Sequence, residues 1–201
     1  MKMLASQAKK ISSFCISNGI IVEQDREKYD YCYEIMLSTL LNFAAVLLIG
    51  LVTGFLAQTV CFMLVFALLK SNAGGYHAES HLVCFAETVG TFLLYRLLAA
   101  VIPVGILPHV SVVLILFAII TVFILAPVET GNKPIGRRQS GQLKRDCCLI
   151  ILFLGAAVFS LLFFSAAQWA FSISFAVAAV SVSLIIGKHQ LAKPGPKSGM
   201  Q

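Results

Sequence analysis

IMLSTLLNFAAVLLIGLVTGFLAQTVCFMLVFALL, residues 35–69, runs for 35 residues without a charged side chain. A helix needs about 20 apolar residues to cross the hydrocarbon core of a bilayer. The stretch is too long for one upright crossing and barely long enough for two short ones. A tight turn near Gly54–Gln58 would divide it. How it divides sets the side of the membrane on which every later segment lies, so the fold turns on this reading.

The rest of the 201 residues have the same character, with 59% hydrophobic and 12% charged side chains and a mean hydropathy of +0.90. Soluble domains carry roughly 25% charged residues, so a soluble enzyme is excluded, and a chain this apolar cannot stay solvated as a disordered one. Further apolar runs lie at 82–102, at 110–128 after a Pro103…Pro108-His109 turn, at 147–167 and at 169–186, the last two divided near Gln168. Ahead of them, Leu4, Ala8, Ile11, Phe14 and Cys15 form one face of a helix over 2–17, with Asn18-Gly19 as its stop. That segment reads as a helix lying on the membrane surface. A second helix is predicted to start near Glu23-Gln24-Asp25, acids suited to a helix amino end, and to run into the bilayer. The polar amino end argues against a cleavable signal peptide.

The positive-inside rule resolves the 35–69 stretch. Two crossings there make six in all, and with both termini inside they put every Lys and Arg except Arg96 on the cytoplasmic side. One crossing would throw the 129–146 loop outside, with Lys133, Arg137, Arg138, Lys144 and Arg145 against Glu129 and Asp146, a net of +3. The predicted fold is therefore all-α: a polytopic membrane protein of about six transmembrane helices behind an amphipathic interfacial helix, amino and carboxyl termini cytoplasmic. Residues 1–201 read as one membrane domain. It comprises an amphipathic segment at 1–30, a polar loop and helix mouth at 70–84, a basic cytoplasmic loop at 129–146 and a flexible basic tail at 188–201. The net charge of +6 thus reports topology, and no nucleic-acid partner is expected. Six cysteines without a CxxC pair or an external domain give no disulfide framework.

Functional groups concentrate in one short stretch, Lys70-Ser71-Asn72-Ala73-Gly74-Gly75-Tyr76-His77-Ala78-Glu79-Ser80-His81, which leads through Leu82-Val83 to Cys84. A cysteine nucleophile needs a base within hydrogen-bond reach, and imidazole suits neutral pH. In a continuous helix His77 and Cys84 would share a face but lie about 10 Å apart along the axis. His81, three residues before Cys84, would be near without any curl of the glycine segment, so helical geometry favours it. A zinc site of His77, His81 and Cys84 is the competing arrangement, although Glu79 falls one place late for an HExxH signature. Glu87 lies one turn beyond Cys84 and would face the same site. Glu79 and Ser80 are available to orient an imidazole.

Lys70 through Cys84, with its core Gly74-Gly75-Tyr76-His77-Ala78 and a cysteine seven residues after the histidine, resembles the signature of the accessory gene regulator protein B (AgrB) family. Tyr31-Cys32-Tyr33-Glu34-Ile35, and Ala126-Pro127-Val128-Glu129 with Lys133-Pro134, extend the resemblance over most of the chain. The family consists of bacterial membrane cysteine endopeptidases that mature quorum-sensing propeptides. The resemblance implies Cys84 as nucleophile and His77, in place of His81, as its base, with Gly75 as the loop glycine. Lys70 stands where the family more usually has Arg, which keeps the charge and loses the planar fork.

The implied partners are a small AgrD-like propeptide and membrane lipid, with room for a homodimer. No metal or other cofactor is implied. The product would be a peptide closed as a thiolactone or lactone, made at the cytoplasmic face of a bacterial cell membrane. Arg137, Arg138, Lys144 and Arg145 are the candidates for docking an acidic propeptide tail. A peptide exporter that cuts nothing is the rival from another class. It is disfavoured because no inverted repeat with paired broken helices is evident and the functional cluster lies at a helix mouth.

The charge distribution makes its own prediction. A single cysteine at position 140, in a background without other thiols, should resist an impermeant maleimide in whole cells and react after permeabilisation. Labelling of intact cells would overturn the six-crossing orientation.

Overall fold

The computed structural model describes residues 2–74, 81–128 and 137–192, and these are almost wholly helical. The helices are α1 (Lys2–Ser17), α2 (Arg26–Val52), α3 (Leu56–Ala73), α4 (His81–Val101), α5 (Leu107–Leu125), α6 (Arg137–Phe163) and α7 (Ala167–Ala192), with a 3-10 turn at Glu23–Asp25 before α2. Helices α2 to α7 are each long and apolar enough to cross a membrane, six in all among the described residues. The uncharged 35–69 stretch divides as the charge pattern requires. Its first helix stops at Val52 and its second begins at Leu56, with Gly54 at φ +75 between them.

By their internal contacts the helices fall into two units. One holds α1, α2 and the first half of α4. Within it α1 ends where Asn18-Gly19 predicts, because Gly19 takes the left-handed conformation at φ +70. Its amide then reaches the Ile16 carbonyl at 3.0 Å, and the Ile20 amide reaches Cys15 at 2.9 Å. That double bond pattern satisfies carbonyls which a bare helix end leaves open. Helix α1 packs on the start of α2. Ser12 bonds the Asp30 carboxylate, Cys15 Sγ lies 3.4 Å from the Tyr33 hydroxyl, and Arg26 Nη1 donates to Ser13 Oγ at 3.0 Å. The buried stripe of α1 runs through Ala8 and Ser12, while Phe14, assigned to the apolar face by periodicity, is exposed.

The other unit holds α3, the second half of α4, and α5 to α7, with α7 at its centre. Helix α7 is apolar yet rich in small side chains, and Ala170, Ser172, Ser174, Ala176, Val177, Val180 and Ser181 are all buried. Lipid tails give helices no hydrophobic reason to associate, so close backbone approach through small residues supplies the contact. Around that core Phe62, Tyr95, Phe171 and Phe175 stack in one aromatic cluster, with the Phe62 and Tyr95 ring centroids 5.1 Å apart. Large apolar side chains such as Leu64, Val113, Phe153 and Phe163 face outward, as lipid-facing positions must.

Three segment boundaries differ from the sequence reading. Helix α6 begins at Arg137, ten residues before the apolar run at 147–167, so the 129–146 segment is not a loop throughout. The apolar run marks where a helix enters lipid, whereas Gln142, Leu143, Lys144 and Arg145 are good helix formers that extend it into water. Helix α5 starts at Leu107 and takes Pro108 into its first turn, where a missing amide hydrogen costs nothing. Helix α7 continues through Lys188 and His189 to Ala192, so the start of the 188–201 tail is helical.

The central place of α7 is testable. Ala176→Leu inserts volume where the side chain is fully buried, and it should cost about 1–3 kcal/mol, read as a lower melting temperature in detergent micelles.

Candidate functional site

The end of α3 is held in place by glycine chemistry. The Gly74 amide bonds the Lys70 carbonyl at 3.1 Å, closing the last turn, and Gly74 then takes φ +73 and ψ −137. There the chain leaves the helix and pairs with Val128 in an isolated parallel bridge. The Val128 amide donates to the Ala73 carbonyl at 2.9 Å. A Cβ at position 74 would run into the Val128 carbonyl oxygen, so glycine is required here both by the backbone angle and by space. Val128 follows the end of α5 through an extended Ala126. The ends of α3 and α5 are therefore tied together where the polar loop begins.

The resemblance implies Gly75 as the loop glycine. The structure gives Gly74 a specific need for glycine, while Gly75, His77, Glu79 and Ser80 lie outside the described residues. Lys70 sits in the last turn of α3, its ammonium 5.3 Å from the Phe66 ring centroid one turn earlier.

Helix α4 starts at His81, and Cys84 stands on its first turn, half-buried, with Glu87 half-buried one turn further on. Asn42 on α2, only 5% exposed, points its side-chain amide at this thiol, with Nδ2 3.7 Å from Cys84 Sγ. The other amide atom, Asn42 Oδ1, is buried without a hydrogen-bond partner. A polar group left unsatisfied at membrane depth is costly, and such residues mark working sites. Thr88 Oγ1 bonds the Cys84 carbonyl at 2.9 Å.

Sequence reasoning passed over Asn42. The signal was available, because it is the sole Asn in the uncharged 35–69 stretch. What could not be read was its partner, 42 positions away on another helix.

All six cysteines are free thiols. Cys147 is fully buried and Cys32 exposed, and among the described residues neither has a side-chain amide bonded to its sulfur as Cys84 has. Among the described residues no group of three or more His, Cys, Asp or Glu side chains could hold a metal ion. The zinc arrangement depends on His77, outside those residues. Of the basic positions, Arg137 and Arg138 open α6, and Lys144 and Arg145 are exposed along it.

Residues 8–185 match the family model described as Accessory gene regulator B. Among curated relatives, an AgrB-like protein of Clostridium perfringens strain SM101 is 25% identical, over 92% of this chain and 87% of its own length. AgrB-like protein 2 of Clostridium perfringens strain 13 is 26% identical, covering 83% and 81%. An AgrB-like protein of Listeria monocytogenes strain EGD-e is 33% identical, covering 67% and 70%. No solved structure matches the chain.

The junction at Gly74 can be tested without any assay of activity. Gly74→Ala should speed hydrogen exchange of the Val128 amide about tenfold or more, because a non-glycine residue at φ +73 and ψ −137 costs about 1–3 kcal/mol before the clash is counted. Unchanged protection at Val128 would remove the proposed need for glycine.

Proposed function

We infer that this chain, which belongs to the accessory gene regulator B family, is a membrane cysteine endopeptidase acting on a small quorum-sensing propeptide. Family membership supports a role in processing the peptide of an agr quorum-sensing system. The observation that carries the finer reading is the half-buried Cys84 thiol at the mouth of α4 with a buried amide donor directed at its sulfur.

In this reading His77 takes the thiol proton and Cys84 Sγ attacks the scissile carbonyl carbon of the propeptide. The carbon–nitrogen bond breaks, the imidazolium returns its proton to the departing amine, and the carboxyl-terminal tail leaves. An acyl thioester remains on Cys84. His77 then takes the proton of a thiol within the propeptide as that sulfur attacks the thioester, the bond to Cys84 breaks, the Cys84 thiolate takes the proton back, and the peptide closes as a thiolactone; a hydroxyl in the same role gives a lactone. Exchange of one thioester for another is nearly balanced, so the ring forms only where water is kept out. A site at the membrane surface, bordered by lipid-facing side chains, meets that need.

Asn42 acts as a positioning residue. Its Nδ2–H donates to sulfur, which favours the sulfur as acceptor and holds it in one rotamer. Lys70, Gly75, Glu79, Ser80 and Glu87 support the loop and the imidazole. Arg137, Arg138, Lys144 and Arg145 attract an acidic tail from the cytoplasmic side.

Coexpression with the cognate propeptide and separation of the products on a gel tests this. Cys84→Ser should insert normally and process nothing, whereas alanine at the five other cysteines should leave processing intact. His77→Ala should be inactive while His81→Ala retains activity. Processing by the Cys84→Ser chain would end the thiol mechanism.

Asn42→Leu should lower kcat about tenfold or more with KM little changed, the loss expected when a hydrogen bond to a charged group disappears. A change in KM alone would assign Asn42 to binding.

A further inference from the structure

At the end of α3 opposite Lys70 lies a cavity of about 140 Å³ that the peptidase reading does not use. Phe55, Gln58, Arg96, Leu107, Gln168 and Phe171 line it. Arg96 is the one charged side chain among its described lining residues, and it is the basic residue that the charge pattern leaves inside a crossing. Its guanidinium carbon stacks 3.7 Å from the Phe55 ring centroid and 5.8 Å from that of Tyr95. Its Nε is buried and has no hydrogen-bond partner. A guanidinium carries five donors and cannot be neutralised by losing its proton, so a partly desolvated one calls for an anion.

Among the described residues no carboxylate lines the cavity to serve. Instead, neutral amides of Gln58 and Gln168 stand on its wall, and three helices begin around it: α3 behind Phe55, α5 at Leu107 and α7 just before Gln168. Helix α3 has no side-chain cap at its amino end, whereas at the start of α5 the Leu107 amide already bonds the Pro103 carbonyl at 3.3 Å and Pro108 has no amide hydrogen. Unsatisfied amide hydrogens and the positive ends of helix dipoles favour an anion in the same place as the guanidinium does.

The depth of the cavity identifies the source of that anion. Helix α3 has 18 residues and is therefore about 27 Å long, close to the hydrocarbon thickness of about 30 Å, so its first turn falls at the edge of the hydrocarbon, where the Gln58 side chain comes within reach of headgroups. Trp169, beside Gln168, is partly exposed there, the usual place for tryptophan in a membrane protein. Leu97, Val101, Val104 and Ile106 nearby in the chain are exposed and apolar, which suits contact with acyl chains. The volume equals that of roughly four or five waters at about 30 Å³ each, room for a phosphate group but not for a folded partner.

We propose that this cavity binds the phosphate of a phospholipid headgroup, with the Arg96 guanidinium as its charged donor and Gln58 and Gln168 completing the hydrogen bonds. The planar fork of Arg96 matches two phosphate oxygens, and the ring of Phe55 holds that fork flat. The site lies twelve residues beyond Cys84 on α4, and nothing in the proposal depends on the thiol chemistry.

Native mass spectrometry of the full chain in detergent, titrated with phosphatidylglycerol, tests it. The unaltered chain should retain one phospholipid, and Arg96→Gln should bind it about tenfold more weakly, the loss of a charge-assisted fork. Equal retention by the two would overturn the proposal. Full displacement of the lipid by millimolar inorganic phosphate would also overturn it, by making this a site for a free anion.

Should Arg96→Gln fail to fold, the unaltered chain still decides. Trp169 is the single tryptophan, so its quenching by phosphatidylglycerol carrying a headgroup nitroxide should saturate at one equivalent and reverse with unlabelled lipid. Quenching that rises without saturation would overturn the proposal.

Discussion

Inside hydrocarbon a backbone amide has no water to bond, and each unsatisfied group costs several kcal/mol. Every crossing among the described residues is accordingly helical, and wherever a helix stops the open groups must find a partner nearby. Gly19 lets the amino-terminal helix fold its last carbonyls onto the next two amides. The Gly74 amide and the Val128 amide take the carbonyls of Lys70 and Ala73 at the end of α3. The polar loop that follows therefore leaves from a fixed point, with its first residue held against the segment after α5.

The same constraint gives meaning to polar atoms that remain unsatisfied. Asn42 Oδ1 and Arg96 Nε are both buried without partners, and each lies beside something that chemistry can use, a thiol in one case and a cavity in the other. In the peptidase proposal the Asn42 amide would hold the Cys84 sulfur in place, and in the lipid proposal the Arg96 fork would take the anion. Ser174 Oγ, on the small-residue helix α7, is also buried and unpartnered.

Packing among the crossings follows from size more than from hydrophobicity. Helix α7 is central because its alanines and serines let neighbours approach, and the aromatic cluster of Phe62, Tyr95, Phe171 and Phe175 fills the space beside it. That cluster adjoins the cavity at Arg96, since Tyr95 and Phe171 belong to both. A rigid aromatic wall is what a single charged side chain needs if it is to stay at one depth.

The crossings were legible in the sequence because lipid demands length and apolarity, both of which are local properties. The break near Gly54, the stop at Gly19 and the membership of Cys84 in a helix mouth could all be read along the chain. The start of α6 could not, since a helix that projects into water leaves no apolar trace among Gln142, Lys144 and Arg145. The resemblance of Ala126-Pro127-Val128 to a family motif was also visible, but not its reason, which is a bridge to Gly74 over 54 positions. Only the tertiary structure brought Asn42 to Cys84 and set Arg96 against Phe55. A single uncharged helix looks much the same from any side in sequence, and which face meets which neighbour is decided by the packing of small and aromatic side chains from distant segments.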